Sequence, residues 1–188
     1  MATYVQHWVE IAISALTPIA LTILTYFITN AINKNQHKLR TNENLVGEKR
    51  LIYSDIGRSL NIIYIYSADI GDFRLFSPDQ IIDLKRDVDR KFNMYKPYWS
   101  SETINRYNSF MNSAFVMYIG VGEKPLIYGE FEEKKEAFVK DGRQWEPYWD
   151  YMFTNDKDPS LSENYEKLVA SFLSDIVSLR SIENGQVQ

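Results

Sequence analysis

Apolar residues dominate one long run near the start of the chain, Trp8 to Thr29, WVEIAISALTPIALTILTYFIT. It holds a single formal charge, Glu10, and a single proline, Pro18. Wound as a helix at 1.5 Å per residue it reaches about 33 Å, enough to cross a hydrocarbon core of about 30 Å. The pattern therefore predicts a transmembrane helix over residues 8–29. A cleaved signal peptide fits less well, because residues 1–7 carry no Lys or Arg and no good small-residue cleavage site follows. A core or interfacial helix is the remaining alternative, although such helices run shorter. The pattern then changes sharply. Residues 30–44 are polar and Asn-rich without Gly or Pro, and read as a helical neck or a linker.

From residue 45 the apolar positions recur at helical spacing, and residues 45–182 read as a helical bundle. Ile52, Ile56, Leu60, Ile63 and Tyr64 mark a helix over 45–70 that Gly71 ends. Ser77-Pro78-Asp79-Gln80 combines an N-cap, a proline in the first turn and a capping-box Gln, and Ile81, Leu84, Val88 and Phe92 line one face behind it. Pro97 stops that helix. Ser100 or Ser101 opens the next, with Ile104, Tyr107, Met111, Phe115 and Tyr118 inward and Gly120 and Gly122 at its end. Residues 120–129 read as a loop, and their GVG lacks the spacing of a phosphate cradle. EFEEKKEAFVK predicts a solvated helical face backed by Phe131, Phe138 and Val139. WEPYWDYMF, residues 145–153, concentrates aromatics as core, subunit interface or base-stacking platform. A last helix follows Pro159, with Ser160 and Glu163 spaced as a capping box and Leu161, Tyr165, Leu168, Phe172, Ile176 and Leu179 as its stripe. Residues 183–188 read as a disordered tail. The expected fold class is all-α: a transmembrane helix followed by a cytoplasmic helical bundle.

Charge orients the expected span. Lys34, Lys38 and Arg40 follow it and no cation precedes it, so the N-terminus is expected outside and the bundle in the cytoplasm, at the inner membrane. The polar residues of the span are also unevenly placed. At about 100° per residue, Glu10, Ser14, Thr17, Thr22, Thr25 and Thr29 fall within a sector of roughly 140°. That stripe reads as a pore lining or helix interface in a homo-oligomer surrounded by membrane lipid. A plain anchor is the alternative, because hydroxyls can bond back to their own helix.

Composition removes several chemistries. The chain has no cysteine, which excludes disulfides, zinc thiolates and a cysteine nucleophile. Its two histidines, His7 and His37, both lie outside residues 45–182, so no histidine-based triad, metal site or ribonuclease site can form within the bundle. The pairs Asp87/Asp89 and Asp156/Asp158 read as solvated acids. All 21 Lys and Arg follow residue 29, yet acids outnumber them and the net charge is −4. Strong direct nucleic-acid binding is not expected from that balance. The expectation is a non-enzyme with no cofactor and no metal.

One N-terminal span, the helix LIYSDIGRSLNIIYIYSADIG and an aromatic C-terminal third together resemble the membrane accessory protein of type VI-B CRISPR systems. The resemblance covers the architecture of the whole chain and rests on no sequence motif. It implies a HEPN-like bundle, an oligomeric pore that enhances antiviral defence by perturbing the membrane, and an RNA-guided RNA-targeting effector as partner. HEPN nucleases carry Arg, four to six residues, then His. Here no His follows Arg58, Arg106, Arg143 or Arg180, so the resemblance does not extend to nuclease activity. The second reading is a membrane-anchored helical binding module that recruits a partner protein or ligand without forming a pore.

Overall fold

The structure, a computed structural model, describes residues 25–26, 28–30, 32–33, 43–116 and 125–184, with side chains through residue 177. The chain divides between Leu45 and Val46 into two units.

Helix α1 covers residues 43–67. It buries Ile52, Ile56, Leu60 and Ile63 at the expected 3–4 spacing, and then Tyr66, whereas the expected Tyr64 is only half-buried. Its end is not made by Gly71. Asp69 takes the left-handed conformation at φ 56°, and Ile70 N–H reaches back to the Ile65 carbonyl at 3.1 Å. That is a Schellman stop with Asp where Gly is usual. A short 3₁₀ turn, Phe73–Leu75, leads to α2, Pro78–Met94. The capping box is present: Gln80 N–H donates to the Ser77 hydroxyl at 3.3 Å, and Ser77 N–H to the Gln80 side chain at 2.8 Å. Helix α3, Ser101–Ala114, is capped by Ser100, whose hydroxyl accepts from Thr103 N–H.

The sequence expected α3 to run on to Gly120. It stops at Ala114, and Phe115–Val116 (β1) pairs antiparallel with Leu126–Ile127 (β2). Phe115, Val116 and Ile127 suit the pleated strand better than another helical turn, and Phe115 and Ile127 bury themselves as a cross-strand pair. Tyr118, Gly120 and Gly122 lie outside the described residues. Helix α4 is Phe131–Lys140, a 3₁₀ segment covers Pro147–Met152, and α5 is Leu161–Asn184. At the start of α5 the Ser160 hydroxyl donates to Asp158 and accepts from the Asn164 side chain, while Glu163 pairs with Lys167.

Side-chain pairs fix the helix directions. Asp55 with Lys91 makes α1 and α2 an antiparallel hairpin about the turn at residues 68–77. Tyr53 with Phe172 and Tyr64 with Tyr165 set α1 antiparallel to α5. Thr103 with Asp175 and Phe110 with Tyr165 set α3 antiparallel to α5. Phe172 sits at the centre of this up-and-down arrangement, its ring 5.1 Å from Tyr53, 6.2 Å from Phe92 and 4.8 Å from Trp99. In a second aromatic group, Phe138, Trp145 and Trp149 pack edge to face between α4 and the 3₁₀ segment, and Phe153 stacks on Trp145.

The membrane part of the sequence reading is corrected. No helix among the described residues is long and apolar enough to cross a membrane. Helix α5 has the length but carries Glu163, Glu166, Lys167 and Asp175, and α1 carries Glu48, Lys49, Arg50, Asp55 and Arg58. Most of the expected span, residues 8–29, lies outside the described residues; Thr25, Tyr26, Ile28 and Thr29 are helical and exposed. Apolar length is necessary for a span but does not make one, and the estimate of about 33 Å came from counting alone. The all-α class stands. The transmembrane helix, the single-pass inner-membrane placement, and the membrane and pore terms that depended on them do not.

Candidate functional site

The expected site residues are not gathered by the structure. Glu10, Ser14, Thr17 and Thr22 lie outside the described residues, while Thr25 and Thr29 are exposed helical positions. Arg143, the nearest approach to a HEPN-type arginine, is tied down structurally. It donates to the Leu75 carbonyl, pairs with Asp141 at 3.3 Å and covers the Phe138 ring. The Asp87/Asp89 pair separates onto different partners. Asp89 accepts from Lys85 and from the Tyr107 hydroxyl at 2.6 Å. Asp87 binds Arg90 at 2.8 Å and Lys91 at 3.1 Å, and these hydrogen bonds hold its carboxyl below the usual range. No group of three metal-ligating side chains occurs among the described residues.

Two buried polar clusters invite a chemical reading. In the first, Tyr107 is buried beside Asp89, and burial together with that carboxylate pushes its hydroxyl far up. Such a phenol stays protonated and is no nucleophile. In the second, Lys134 of α4 is only 2% exposed. Its ammonium donates to the Tyr66 carbonyl at 2.6 Å and to Asp69, and lies 4.5 Å from the Tyr66 ring centre. Burial lowers its pKa, with Asp69 opposing. A depressed lysine is a candidate amine nucleophile. Here Tyr66, Phe73 and the backbone at Gly129 enclose it, the last so closely that a Cβ there would lie 3.2 Å from the lysine Cε. The cluster therefore pins the Asp69 turn to α4. The expectation of a solvated face over EFEEKKEAFVK missed it.

Among the described residues, a feature open to a ligand lies between the first two helices. A groove of about 440 Å³ is lined by Ile62 of α1, Phe76 of the connecting turn, and Gln80, Asp83, Leu84 and Asp87 of α2. That volume falls within the range of small-ligand and side-chain pockets. The α2 wall is a stripe at i, i+3, i+4 and i+7, the spacing of one helix face over about two turns. It lies beside the core stripe of Ile81, Val88 and Phe92, so Leu84 is shared: it packs on the core's edge and floors the groove. Phe76 closes the end at the turn. The Asp55–Lys91 ion pair, 2.8 Å, bridges the helices a turn beyond Asp87. Sequence reading placed Leu84 in the core and did not find the groove. The available signal was that i, i+3, i+4, i+7 stripe, off the core face and containing one large apolar residue.

The aromatic segment 145–153 is chiefly core. Trp145, Trp149, Met152 and Phe153 are buried, while Tyr148 and Tyr151 are exposed. The indoles are anchored by carboxylates, Trp145 to Asp150 at 2.7 Å and Trp149 to Asp79 at 2.8 Å. Rings held in that way are not free to stack on bases. No family model, curated protein or solved structure matches the chain.

Proposed function

We propose that this chain is a non-catalytic helical binding module and that the α1–α2 groove is its contact site. One observation carries the reading: an open groove with an apolar floor and polar rim, built on two rigid helices locked by a capping box and an inter-helix ion pair. Groups with catalytic potential are instead consumed in packing. Lys134 is enclosed, Tyr107 is held protonated, and Arg143 caps a carbonyl. Contact sites need rigid walls and an apolar anchor pocket more than they need reactive groups.

The test is site-directed photo-crosslinking in the native host. A photo-reactive residue at Asp83, exposed on the groove's rim, is expected to give one discrete adduct. Adding Ile62→Glu and Leu84→Glu should abolish it, and the same residue at Glu136, on the exposed face of α4, should give none. An adduct that survives both substitutions would remove the groove as the contact site.

A further inference from the structure

Resting on that reading, we infer that the occupant of the groove is a basic amphipathic helix of a partner protein, with apolar anchors on the floor and a Lys or Arg against the Asp83 bank. The lining supplies the argument. Three of its side chains, Ile62, Phe76 and Leu84, are apolar, two are carboxylates, and none is cationic. The lining extends along two turns of α2, from Gln80 to Asp87, the length over which a bound helix presents side chains at i, i+3 or i+4, and i+7.

The carboxylates are already partnered, so their availability has to be weighed. Asp83 is bound by Arg86 at 3.4 Å, one turn along the same helix, and its side chain is 75% exposed. Exposed pairs of that kind are weak, so an incoming cation displaces Arg86 at little cost. By helical geometry Arg86 lies about 60° further round α2 than Asp83 and Arg90 about 20° further, and neither lines the groove. Asp87 is different. Arg90 and Lys91 both hold it, and Lys91 also holds Asp55. Two cations on two carboxylates leave that end neutral, with no spare carboxylate for a further cation. The geometry therefore orients the partner: its basic residue lies toward the Phe76 end, against Asp83, and its apolar end toward Lys91.

The test uses the full-length chain and three synthetic helical peptides with identical apolar anchors. Their remaining positions carry Lys, Glu or Gln. Binding is read by fluorescence titration and located by amide chemical shifts of Ile62, Phe76 and Leu84. The Lys peptide is expected to bind at the groove at least about tenfold more tightly than the Glu peptide, with an advantage that shrinks as salt rises. Asp83→Asn is expected to weaken the Lys peptide about two- to fivefold and leave the Gln peptide unchanged, while Leu84→Glu should weaken the Lys and Gln peptides alike. Asp83 is exposed, so its substitution leaves the fold intact, and an unchanged melting temperature checks this. Equal binding of the Lys and Gln peptides at the groove, or Lys binding insensitive to Asp83→Asn, would overturn the basic partner while leaving the groove as a binding site. Absence of groove shifts with all three peptides would overturn both.

Discussion

Removing the Asp69 carboxylate should be the most damaging single change at the bundle's α4 edge. Asp69 holds the Lys134 ammonium, whose side chain is 1% exposed, and lies 3.1 Å from Lys157. In Asp69→Ala the buried ammonium keeps only the Tyr66 carbonyl and two ring faces. Breaking a buried pair by deleting one partner costs about 3–5 kcal/mol. The backbone gives a second, smaller term. Residue 69 has φ 56°, which a β-carbon disfavours by about 1–2 kcal/mol and Gly tolerates. Asp69→Gly should therefore be less harmful than Asp69→Ala by about 1 kcal/mol, yet still clearly destabilised. Lys134→Met with Asp69→Gly removes both charges and retains most of the packing volume. The double variant should recover a large part of the loss, with a coupling of about 1–3 kcal/mol.

Urea unfolding followed by tryptophan fluorescence measures these differences, since Trp99, Trp145 and Trp149 are buried in this unit. A loss of 3 kcal/mol at a slope of about 1–3 kcal/mol/M moves the midpoint down by about 1–3 M. Losses for Asp69→Gly and Lys134→Met that simply add in the double variant would show that the two groups do not interact. An Asp69→Ala cost below about 1 kcal/mol would show that Lys134 escapes to water or sheds its proton without penalty. Either result refutes the reasoning.

Lys134 also predicts a pH dependence of known sign. Its folded pKa lies below the usual 10.5, so in the window between the two values the unfolded chain binds more protons and stability rises with pH. Lys157 is shifted up by Glu133 and Asp69 and acts oppositely, losing its contribution as pH climbs past 10.5. Subtracting the pH–stability curve of Lys134→Met from that of the parent should leave a segment rising toward pH 10.5, and a flat difference would contradict the buried-amine account. Tyr66→Phe should be neutral or stabilising by up to about 1 kcal/mol in thermal melts, because the hydroxyl is buried without a partner. Ser77→Ala should cost about 1 kcal/mol through loss of the capping box at α2, read from the urea midpoint. Arg143→Ala should lower the melting temperature slightly, and neither it nor the parent should cut single-stranded RNA or DNA in a gel assay; cleavage lost in the variant would make Arg143 catalytic.

Where local rules decide the outcome, the sequence was readable. Ser77 to Gln80 dictates a helix start because cap, proline and box act within four residues, and Ser100, one of the two caps the sequence offers, opens α3 by its hydroxyl alone. Core stripes in α1, α2 and α5 were legible because 3–4 spacing has one geometric meaning. Tertiary rules overrode the rest. Nothing near Asp69 announces a left-handed stop, since what holds it there is Lys134, 65 residues away. Lys134 in turn reads as one more charge in a Glu- and Lys-rich run, and only the docking of α4 over Tyr66 buries it. The expected membrane span stands apart: most of residues 8–29 lies outside the described residues, and no helix among those described is long and apolar enough to cross a membrane.

The groove was illegible for a third reason, and that reason bears on what it can do. A core stripe is apolar throughout because burial selects every position in it. Gln80, Asp83, Leu84 and Asp87 keep the spacing of a contact face, yet only Leu84 is apolar, so the stripe scores as surface in any hydrophobic pattern. A face that stays wet in the free chain has to be of this kind, since a fully apolar strip would drive self-association. One large anchor flanked by groups that water can satisfy is stable alone and still gains from a partner that covers the anchor and returns the polar contacts. On that argument the strength of any partner should depend on the anchor. Leu84→Ala, which shortens the floor without adding charge, should cost binding more than loss of the Asp83 charge does. The reverse order would make the site an electrostatic patch with an incidental floor.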